Sequence, residues 1–325
     1  MSTKQITLYI DRRVLNLKSA FEHKLLCDGP TFSAGDSCRM QCSFCYVESI
    51  FARDPKIQHA LANSNTTFDQ AVIRRNNPVA ILREQLLKKG KPRFNNPADT
   101  RVIYASPLVD VAATVEMARE TTDLCRVILE NTHWQIRLLS KSNLLTLVAK
   151  ALQEHKNRII YGFSTGTPDD QLAAAFEQGT AKVSKRIAAL RQLQDDGYRT
   201  YGMICPSLPH ANQEQYLEFS RIICEMLRLQ HCEHIWAEVI NVRGQAFTRT
   251  YNALKDAGFE KEATRLREVT HNQHLWEEYA RATYRAHAQI IPTEKLRFLQ
   301  YVTPTTRTWW SAQPGAVLLG KAAEV

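Results

Sequence analysis

The most informative stretch of the chain is CRMQCSFCY, which runs from Cys38 to Tyr46. Its three cysteines have the spacing C-x3-C-x2-C and follow soon after the first strand-like segment. Three thiols this close together in a protein that keeps its cysteines reduced indicate a metal-binding or catalytic loop. A [4Fe–4S] cluster held by three cysteines leaves one iron with an open position, where a substrate or cofactor can bind. This chemistry needs three ligands and is better without a fourth.

The other five cysteines do not extend the motif into a zinc site. They are scattered along the chain and form no second C-x2-C pair, at Cys27, Cys125, Cys205, Cys224 and Cys232. A structural zinc ion takes four ligands, usually from two such pairs. Zinc, or a chance spacing, nevertheless stays open as an alternative to the cluster.

The composition is typical of a globular protein with one large domain or two small ones. Of the 325 residues, 44% are hydrophobic and 23% are charged, so the chain can bury a sizeable core. No run of about 18 apolar residues predicts a membrane span. The N-terminal residues lack the apolar core of a signal peptide. We therefore expect a cytoplasmic protein with reduced thiols and no membrane partner.

Positive charge is concentrated in one segment. The chain has 42 Lys and Arg against 33 Asp and Glu, a net charge of +9. Residues 74–101 alone carry eight basic and two acidic side chains. Such a patch can neutralise phosphates, which suggests nucleic-acid contacts. The candidate residues are Arg74, Arg75, Lys88, Lys89 and Lys91. A solvated helix face is the alternative interpretation.

Strand-like and helical patterns alternate through most of the chain. The strand-like runs are residues 101–106, 134–140, 158–165, 199–205 and 234–240. The helical patterns between them are Ala112–Glu130, Asn143–Glu154, Lys182–Asp195 and Gln213–Gln230. This alternation predicts a parallel sheet with right-handed crossovers. Together with the segment before Cys38, these elements form six β/α units. The units can close into a partial barrel or form an open, doubly wound sheet. The motif G-x-G-x-x-G does not follow the first strand, which argues against a doubly wound sheet that binds a dinucleotide.

Two regions fall outside the alternation. Residues 47–100 form a connection much longer than an ordinary βα loop, and we expect a helix in it around Pro78–Lys89. From about Phe247 the pattern is helical through Ala288. We therefore predict a core domain over residues 1–245, with a basic insertion over 47–100, and a helical extension over 246–325.

The cysteine motif, with Phe44 just before its last cysteine, resembles that of the radical S-adenosylmethionine (SAM) superfamily. Three further segments are similar to the spore photoproduct lyase-like branch, namely LLSKSNLL (138–145), FEQGTAKVSKRIAALRQLQDDGY (176–198) and GMICPSLPHAN (202–212). The resemblance covers residues 30–244. It implies a partial (β/α)6 TIM-type barrel in which Cys38, Cys42 and Cys45 hold a [4Fe–4S] cluster. One-electron reduction of bound SAM would then give a 5′-deoxyadenosyl radical, which takes a hydrogen atom from a substrate.

The resemblance also places SAM contacts on individual residues. It implies that Phe44 contacts the adenine and that Ser106 and Asp110 lie where the superfamily binds the methionine amino group. The sequence there is ASPLVD (105–110) rather than the branch's Thr-Asp-Pro-Tyr pattern. Further contacts are implied for residues that end the third and fourth strands, Ser140, Lys141 and Ser164. In β/α barrels such strand ends face the active site.

Two more strands carry candidate site residues. Glu238 sits in an apolar strand, WAEVINVRG, so we expect it to point into a polar cavity, towards SAM or Arg243. A structural Glu–Arg pair is the alternative. Cys205 ends another strand, and spore photoproduct lyase uses a cysteine to return a hydrogen atom to its product radical. Cys205 is therefore a candidate donor, or else an ordinary core cysteine.

Three classes of function remain open. The substrate is a nucleic acid, in lesion repair or base modification, or it is a protein or peptide that the enzyme matures. The third class is a non-enzymatic metal-binding module. The resemblance also implies an electron donor such as flavodoxin or ferredoxin. Neither composition nor spacing identifies the substrate.

Overall fold

The structure is a computed structural model that describes residues 5–240 and 245–320. The chain forms two compact units. Unit 1 comprises residues 1–41, 47–162 and 195–199, and unit 2 comprises residues 42–46, 163–194 and 200–325. The predicted division at residues 245 and 246 stays a prediction.

Both units are mixed α/β. The strands are β1 (Ile6–Ile10), β2 (Leu15–Asn16), β3 (Thr31–Phe32), β4 (Ala71–Arg75), β5 (Leu87–Lys88), β6 (Lys91–Pro92), β7 (Val102–Ala105), β8 (Gln135–Ser140), β9 (Ile159–Ser164), β10 (Arg199–Ser207), β11 (Cys232–Val239), β12 (Leu296–Tyr301) and β13 (Ala316–Leu319). The α-helices are α1 (Val47–Phe51), α2 (Pro55–Asn63), α3 (Pro78–Leu86), α4 (Val115–Asn131), α5 (Leu145–Ala151), α6 (Asp170–Phe176), α7 (Val183–Asp195), α8 (Gln213–Met226), α9 (Ala246–Asp256), α10 (Glu260–Thr270), α11 (Gln273–Ile290) and α12 (Pro304–Ser311). None of the described helices is long and apolar enough to cross a membrane.

Unit 1 contains a mostly parallel sheet with the order β2-β3-β7-β8, in which only the β2–β3 pair is antiparallel. Ile103 and Ile136, on its two longer strands, are fully buried, as expected for a parallel sheet covered on both faces. The Thr114 hydroxyl caps α4 by accepting a hydrogen bond from the Met117 backbone N–H. A separate parallel pair, β1 with β4, lies in the same unit.

Unit 2 contains the parallel order β10-β11-β12-β13. Its core includes Tyr201 and Trp236 in T-shaped contact, and Phe298 stacked on Trp310 with ring centroids 5.6 Å apart. Such aromatic pairs contribute beyond their buried area.

The predicted alternation is confirmed, because the five strand-like runs correspond to β7 through β11, and the four helical patterns to α4, α5, α7 and α8. The insertion holds α3 at the expected place. It also holds α1, α2, β4 and the β5–β6 hairpin, which the sequence did not indicate. The C-terminal region is not wholly helical, since β12 and β13 extend the sheet of unit 2 there. Their strand character depends on pairing with β11 and with each other, which a local sequence pattern does not reveal.

Candidate cluster and cofactor site

The middle of the cysteine loop is anchored within unit 2 through Ser43. Its backbone N–H and its hydroxyl both donate to the carbonyl of Phe176, at 2.9 and 3.1 Å. The same hydroxyl lies 3.0 Å from the hydroxyl of Thr250 on α9. The Phe44 ring packs on the Phe176 ring, with centroids 5.7 Å apart. The residue between two of the cysteines is therefore held in place by the end of α6 and by α9.

Arg249 on α9 holds the backbone of the same loop. Its guanidinium donates to the carbonyl of Ser43 at 3.1 Å and to the carbonyl of Cys45 at 2.7 Å. The backbone N–H of Cys45 donates to the carbonyl of Cys42 at 3.0 Å, which closes a tight turn. Hydrogen bonds from a cation are stronger than neutral ones. Arg249 therefore fixes the loop that carries Cys42 and Cys45.

A buried ion pair supports this loop. The guanidinium of Arg186 and the carboxylate of Glu177 are 2.6 Å apart, with side chains only 1% and 0% exposed. Glu177 forms an isolated backbone bridge with Cys42. Arg186 also donates to the carbonyls of Ala181 and Ser164, at 2.7 and 2.9 Å. Buried charges are tolerated when they are paired and hydrogen-bonded in this way. The pair joins the segment at Cys42 to the end of β9.

The approach to Cys38 is fixed in unit 1. The backbone N–H of Asp36 donates to the carbonyl of Ile73 on β4 at 2.9 Å. The Ser37 hydroxyl donates to the carbonyl of Ala71 at 2.8 Å and accepts from the Ile73 N–H at 2.9 Å. Hydrogen bonds to β4 therefore fix the position of the segment immediately before Cys38. The Cys38 side chain itself is partly exposed.

The two arginines of the predicted nucleic-acid patch both form ion pairs with carboxylates of unit 1. Arg75 is buried and donates to Asp36, which is fully buried, at 2.9 Å. Arg74 pairs with Glu120 on α4 at 2.6 Å. Carboxylates within unit 1 therefore pair with both arginines, and the contact of Arg74 and Arg75 with nucleic acid stays a prediction. Buried carboxylates need such partners, and arginine supplies several donors at once.

The lysines of the same segment lie on the β5–β6 hairpin. Lys88, Lys89 and Lys91 are all exposed. Lys89 and Gly90 form the turn in left-handed conformations, with φ of 51° and 76°. Their contact with nucleic acid stays a prediction.

Ser106 ends β7 in a strained backbone conformation. Its φ is 51°, and its N–H donates to the carbonyl of Phe32 at 2.6 Å. Its hydroxyl is buried and has no hydrogen-bond partner among the described residues. A buried hydroxyl of this kind costs free energy unless something bonds to it, and strained residues with such groups are common at ligand sites.

Asp110 organises the end of β8. Its carboxylate accepts from the Ser140 hydroxyl and from the Lys141 N–H, both at 2.7 Å, and from the Ala112 N–H at 2.9 Å. Burial raises the pKa of Asp110 above its usual value, although these hydrogen bonds oppose the shift. The structure therefore brings Asp110, Ser140 and Lys141 together, and their roles towards SAM stay predictions. Both oxygens of the Asp110 carboxylate accept hydrogen bonds from protein groups.

Three candidates of unit 2 lie on adjoining strand ends. The Ser164 hydroxyl donates to the carbonyl of Cys205 at 3.4 Å. The Cys205 thiol is partly exposed and lies 3.9 Å from Oε2 of Glu238, whose side chain is buried. Arg243 lies outside the described residues, so the predicted pairing of Glu238 with it stays a prediction.

The cysteines are the candidate ligands of the predicted cluster. All eight cysteines lie among the described residues, and none forms a disulfide. No three His, Cys, Asp or Glu side chains in the described residues are close enough to hold one metal ion. Three partly exposed cysteine thiols, those of Cys38, Cys42 and Cys45, are a donor set that suits a [4Fe–4S] cluster.

Comparison with known proteins identifies the family. A family model for spore photoproduct lyase matches residues 31–302, well over half of the chain. The chain belongs to the spore photoproduct lyase family. A search of curated protein sequences finds no match.

Solved structures of spore photoproduct lyase share the fold. A cysteine-to-serine variant superposes with a TM-score of 0.58 at 14% identity, over 88% of this chain and 80% of that chain. A complex with dinucleoside spore photoproduct gives 0.58 at 13%, over 88% and 80%. A variant with bound AdoMet and dinucleoside spore photoproduct gives 0.55 at 13%, over 81% and 74%.

Membership of the family confirms the coarse predictions. Spore photoproduct lyases are radical SAM enzymes with a partial TIM-type barrel, so the fold class and the enzyme class are as predicted. The family uses a [4Fe–4S] cluster and SAM, which confirms the predicted cofactors. The roles of individual residues stay predictions.

Sequence reasoning missed the residues that support the loop. Glu177 and Arg186 lie in a segment that resembles the spore photoproduct lyase-like branch, but no local pattern marks them as a pair. They are nine residues apart, whereas side chains that contact each other along a helix are three or four apart. Arg249 comes 204 residues after Cys45. No local pattern signals a contact over that separation.

Proposed function

We propose that this chain is a radical SAM lyase that repairs a spore photoproduct-like lesion in DNA. The observation that carries the proposal is the family match over residues 31–302, which includes the whole cysteine motif. Similar structures hold dinucleoside spore photoproduct, so we infer a lesion of that chemical class as the substrate.

In this proposal the thiolates of Cys38, Cys42 and Cys45 hold the [4Fe–4S] cluster. The cluster and SAM, when bound, supply the radical chemistry that removes hydrogen from the lesion. Arg249 donates hydrogen bonds to the carbonyls of Ser43 and Cys45, and these bonds orient the loop that carries Cys42 and Cys45. A ligand loop that is fixed before binding loses less entropy when it is loaded.

The strand ends supply the SAM contacts. Ser106 offers its buried hydroxyl to the methionine end of SAM, and Lys141 offers a cation to the carboxylate. Asp110 acts through Ser140 and Lys141, because its oxygens already accept from both residues. Phe44 stacks on or lies beside the adenine, and Ser164 meets the ribose.

Cys205 is the proposed hydrogen-atom donor. A donor thiol needs access to the substrate and a fixed position, and Cys205 is partly exposed at a strand end. A hydrogen bond from the Cys205 thiol to the Glu238 carboxylate, with 3.9 Å between sulfur and oxygen, orients the sulfur. Glu238 is accordingly a positioning residue, with Arg243 as its proposed partner.

The remaining partner is suggested by the resemblance to radical SAM enzymes. A flavodoxin or ferredoxin is the proposed electron donor. We assign the enzyme to the cytoplasm, where eight cysteines stay as thiols.

Turnover of a defined lesion tests the substrate. Reconstituted enzyme, SAM and a reductant are mixed anaerobically with an oligonucleotide that carries one spore photoproduct, and the lesion is quantified by chromatography. We expect the lesion to disappear, while an undamaged oligonucleotide stays unchanged. If SAM is cleaved but the lesion persists, the DNA substrate is wrong and a peptide substrate becomes the better interpretation.

The hairpin lysines give a prediction about binding. We expect Lys88→Gln, Lys89→Gln and Lys91→Gln together to weaken binding of duplex DNA at low salt. If each lysine contacts one phosphate, the slope of log K against log salt falls by about 2 to 3. The control replaces three exposed lysines of unit 2, Lys185, Lys255 and Lys261, which removes the same charge. Equal losses in both triple variants would show only a general effect of net charge.

A further inference from the structure

We propose that a cleft in unit 1 binds the backbone of a nucleic-acid strand through Arg13, Lys18 and Lys56. The cleft has a volume of about 1040 Å³, at the upper end of the range for small-molecule pockets. It is distinct from the lysine hairpin and from the strand-end SAM contacts. The inference rests on the proposed function, because it assigns a second contact region to the same substrate.

The charge of the cleft is strongly one-sided. Five of the lining side chains are basic, Arg12, Arg13, Lys18, Lys56 and Arg75, whereas Asp54 is the lone acidic side chain in the described lining. Asp54 pairs with Arg12 at 3.0 Å and also accepts from two backbone N–H groups at the start of α2. The acidic side chain is therefore neutralised by groups around it.

The basic side chains divide into two sets. Arg12 and Arg75 both approach the buried carboxylate of Asp36, at 3.6 and 2.9 Å, and so belong to the framework of the cleft. Arg13, Lys18 and Lys56 are exposed. Exposed cations at the wall of a concave surface attract phosphates over about a Debye length, or about 10 Å at moderate salt. Lys56 donates one hydrogen bond to the carbonyl of Asp11 at 3.2 Å. Its two other N–H groups, together with Arg13 and Lys18, can meet a polyanion.

The cleft also offers apolar surface. Phe21 is partly exposed and packs against Tyr104, with ring centroids 5.6 Å apart. Phe32 and Pro107 contribute to the same lining. A rigid aromatic ring beside cations is the usual arrangement for a single strand, because bases stack on the ring while phosphates meet the charges.

The position of the cleft connects it with the reaction. Pro107 and Leu108 line it and directly follow Ser106, the proposed SAM contact at the end of β7. Thr31 and Phe32 of β3 line it as well. A strand held here would run past one edge of the proposed cofactor site, so nucleotides beside the lesion are the ones that the cleft would bind.

The test compares two triple variants in the full-length protein. Arg13→Gln, Lys18→Gln and Lys56→Gln remove the exposed cations, and Lys185→Gln, Lys255→Gln and Lys261→Gln are the matched control. The probe is a fluorescent 20-nucleotide oligothymidine, titrated at several salt concentrations. We expect the cleft variant to bind at least about tenfold more weakly at low salt. Its salt slope should fall by about 2, since each single-strand phosphate contact contributes about 0.7. The control should match the wild type.

The outcomes separate this inference from the proposed function. If the wild type binds the oligonucleotide and the cleft variant binds equally well, the cleft inference is overturned and the proposed substrate stands. If the wild type does not bind the oligonucleotide at any of the salt concentrations, both the nucleic-acid substrate and the cleft assignment are overturned. Removal of Phe21 as Phe21→Leu should weaken binding without a change in salt slope, because stacking releases no counterions.

Discussion

Protein with Cys42→Ala is expected to hold no [4Fe–4S] cluster after anaerobic reconstitution with iron and sulfide. Two thiolates cannot hold the cluster against the loss of a direct ligand. Since changes behind the direct ligands already lower metal affinity by about 10- to 100-fold, we expect a loss greater than about 100-fold. Iron and sulfide content, with the visible absorption of the cluster, measures the effect.

The matched control is Cys125→Ala. The Cys125 thiol is fully buried, and burial raises its pKa well above the usual value, so it stays protonated and is a poor ligand. Iron content should be that of the wild type. Equal loss of iron in the Cys125 and Cys42 variants would contradict the assignment of Cys38, Cys42 and Cys45 as ligands.

The second large effect is expected from the buried pair beneath the loop. Arg186→Met removes the cation that pairs with the buried Glu177 carboxylate, and breaking a buried ion pair in this way costs about 3–5 kcal/mol of folding free energy. Urea unfolding of the cluster-free protein measures the change. The double variant Arg186→Met with Glu177→Gln should recover part of the loss, because no buried charge is left unpaired.

An exposed pair on α8 provides the comparison. Arg221 and Glu218 form an ion pair whose side chains are 58% and 53% exposed. Because solvent screens such pairs, Arg221→Met should change the free energy of unfolding by less than about 1 kcal/mol. If Arg186→Met were as mild as Arg221→Met, the Glu177–Arg186 pair would not support the cysteine loop.

The regular core of the fold could be predicted because its signals are local. Each of β7 through β11 is a short apolar run, and each following helix shows apolar residues at spacings of three and four. The cysteine motif is equally local, within eight residues. Strand ends of parallel sheets meet at one edge, so the placement of Ser106 and Lys141 directly after strands also followed from the pattern.

The parts that could not be predicted depend on contacts between distant residues. Strand β4 could not be predicted because it forms only by pairing with β1, with Ile6 opposite Ala71. Arg75 looked like surface charge in a basic segment, and only the fold reveals the buried Asp36 beside it. The contacts of Arg249 with the carbonyls of Ser43 and Cys45 likewise join residues about 200 positions apart.

The central claim is that this chain cleaves SAM reductively at a cluster held by Cys38, Cys42 and Cys45. The most direct test is to reconstitute the protein anaerobically, add SAM and a chemical reductant, and measure 5′-deoxyadenosine and methionine by liquid chromatography. We predict that the wild type forms both products in equal amounts and that the Cys42→Ala protein forms neither. Wild-type protein with a full complement of iron and sulfide that yields no 5′-deoxyadenosine would contradict the claim.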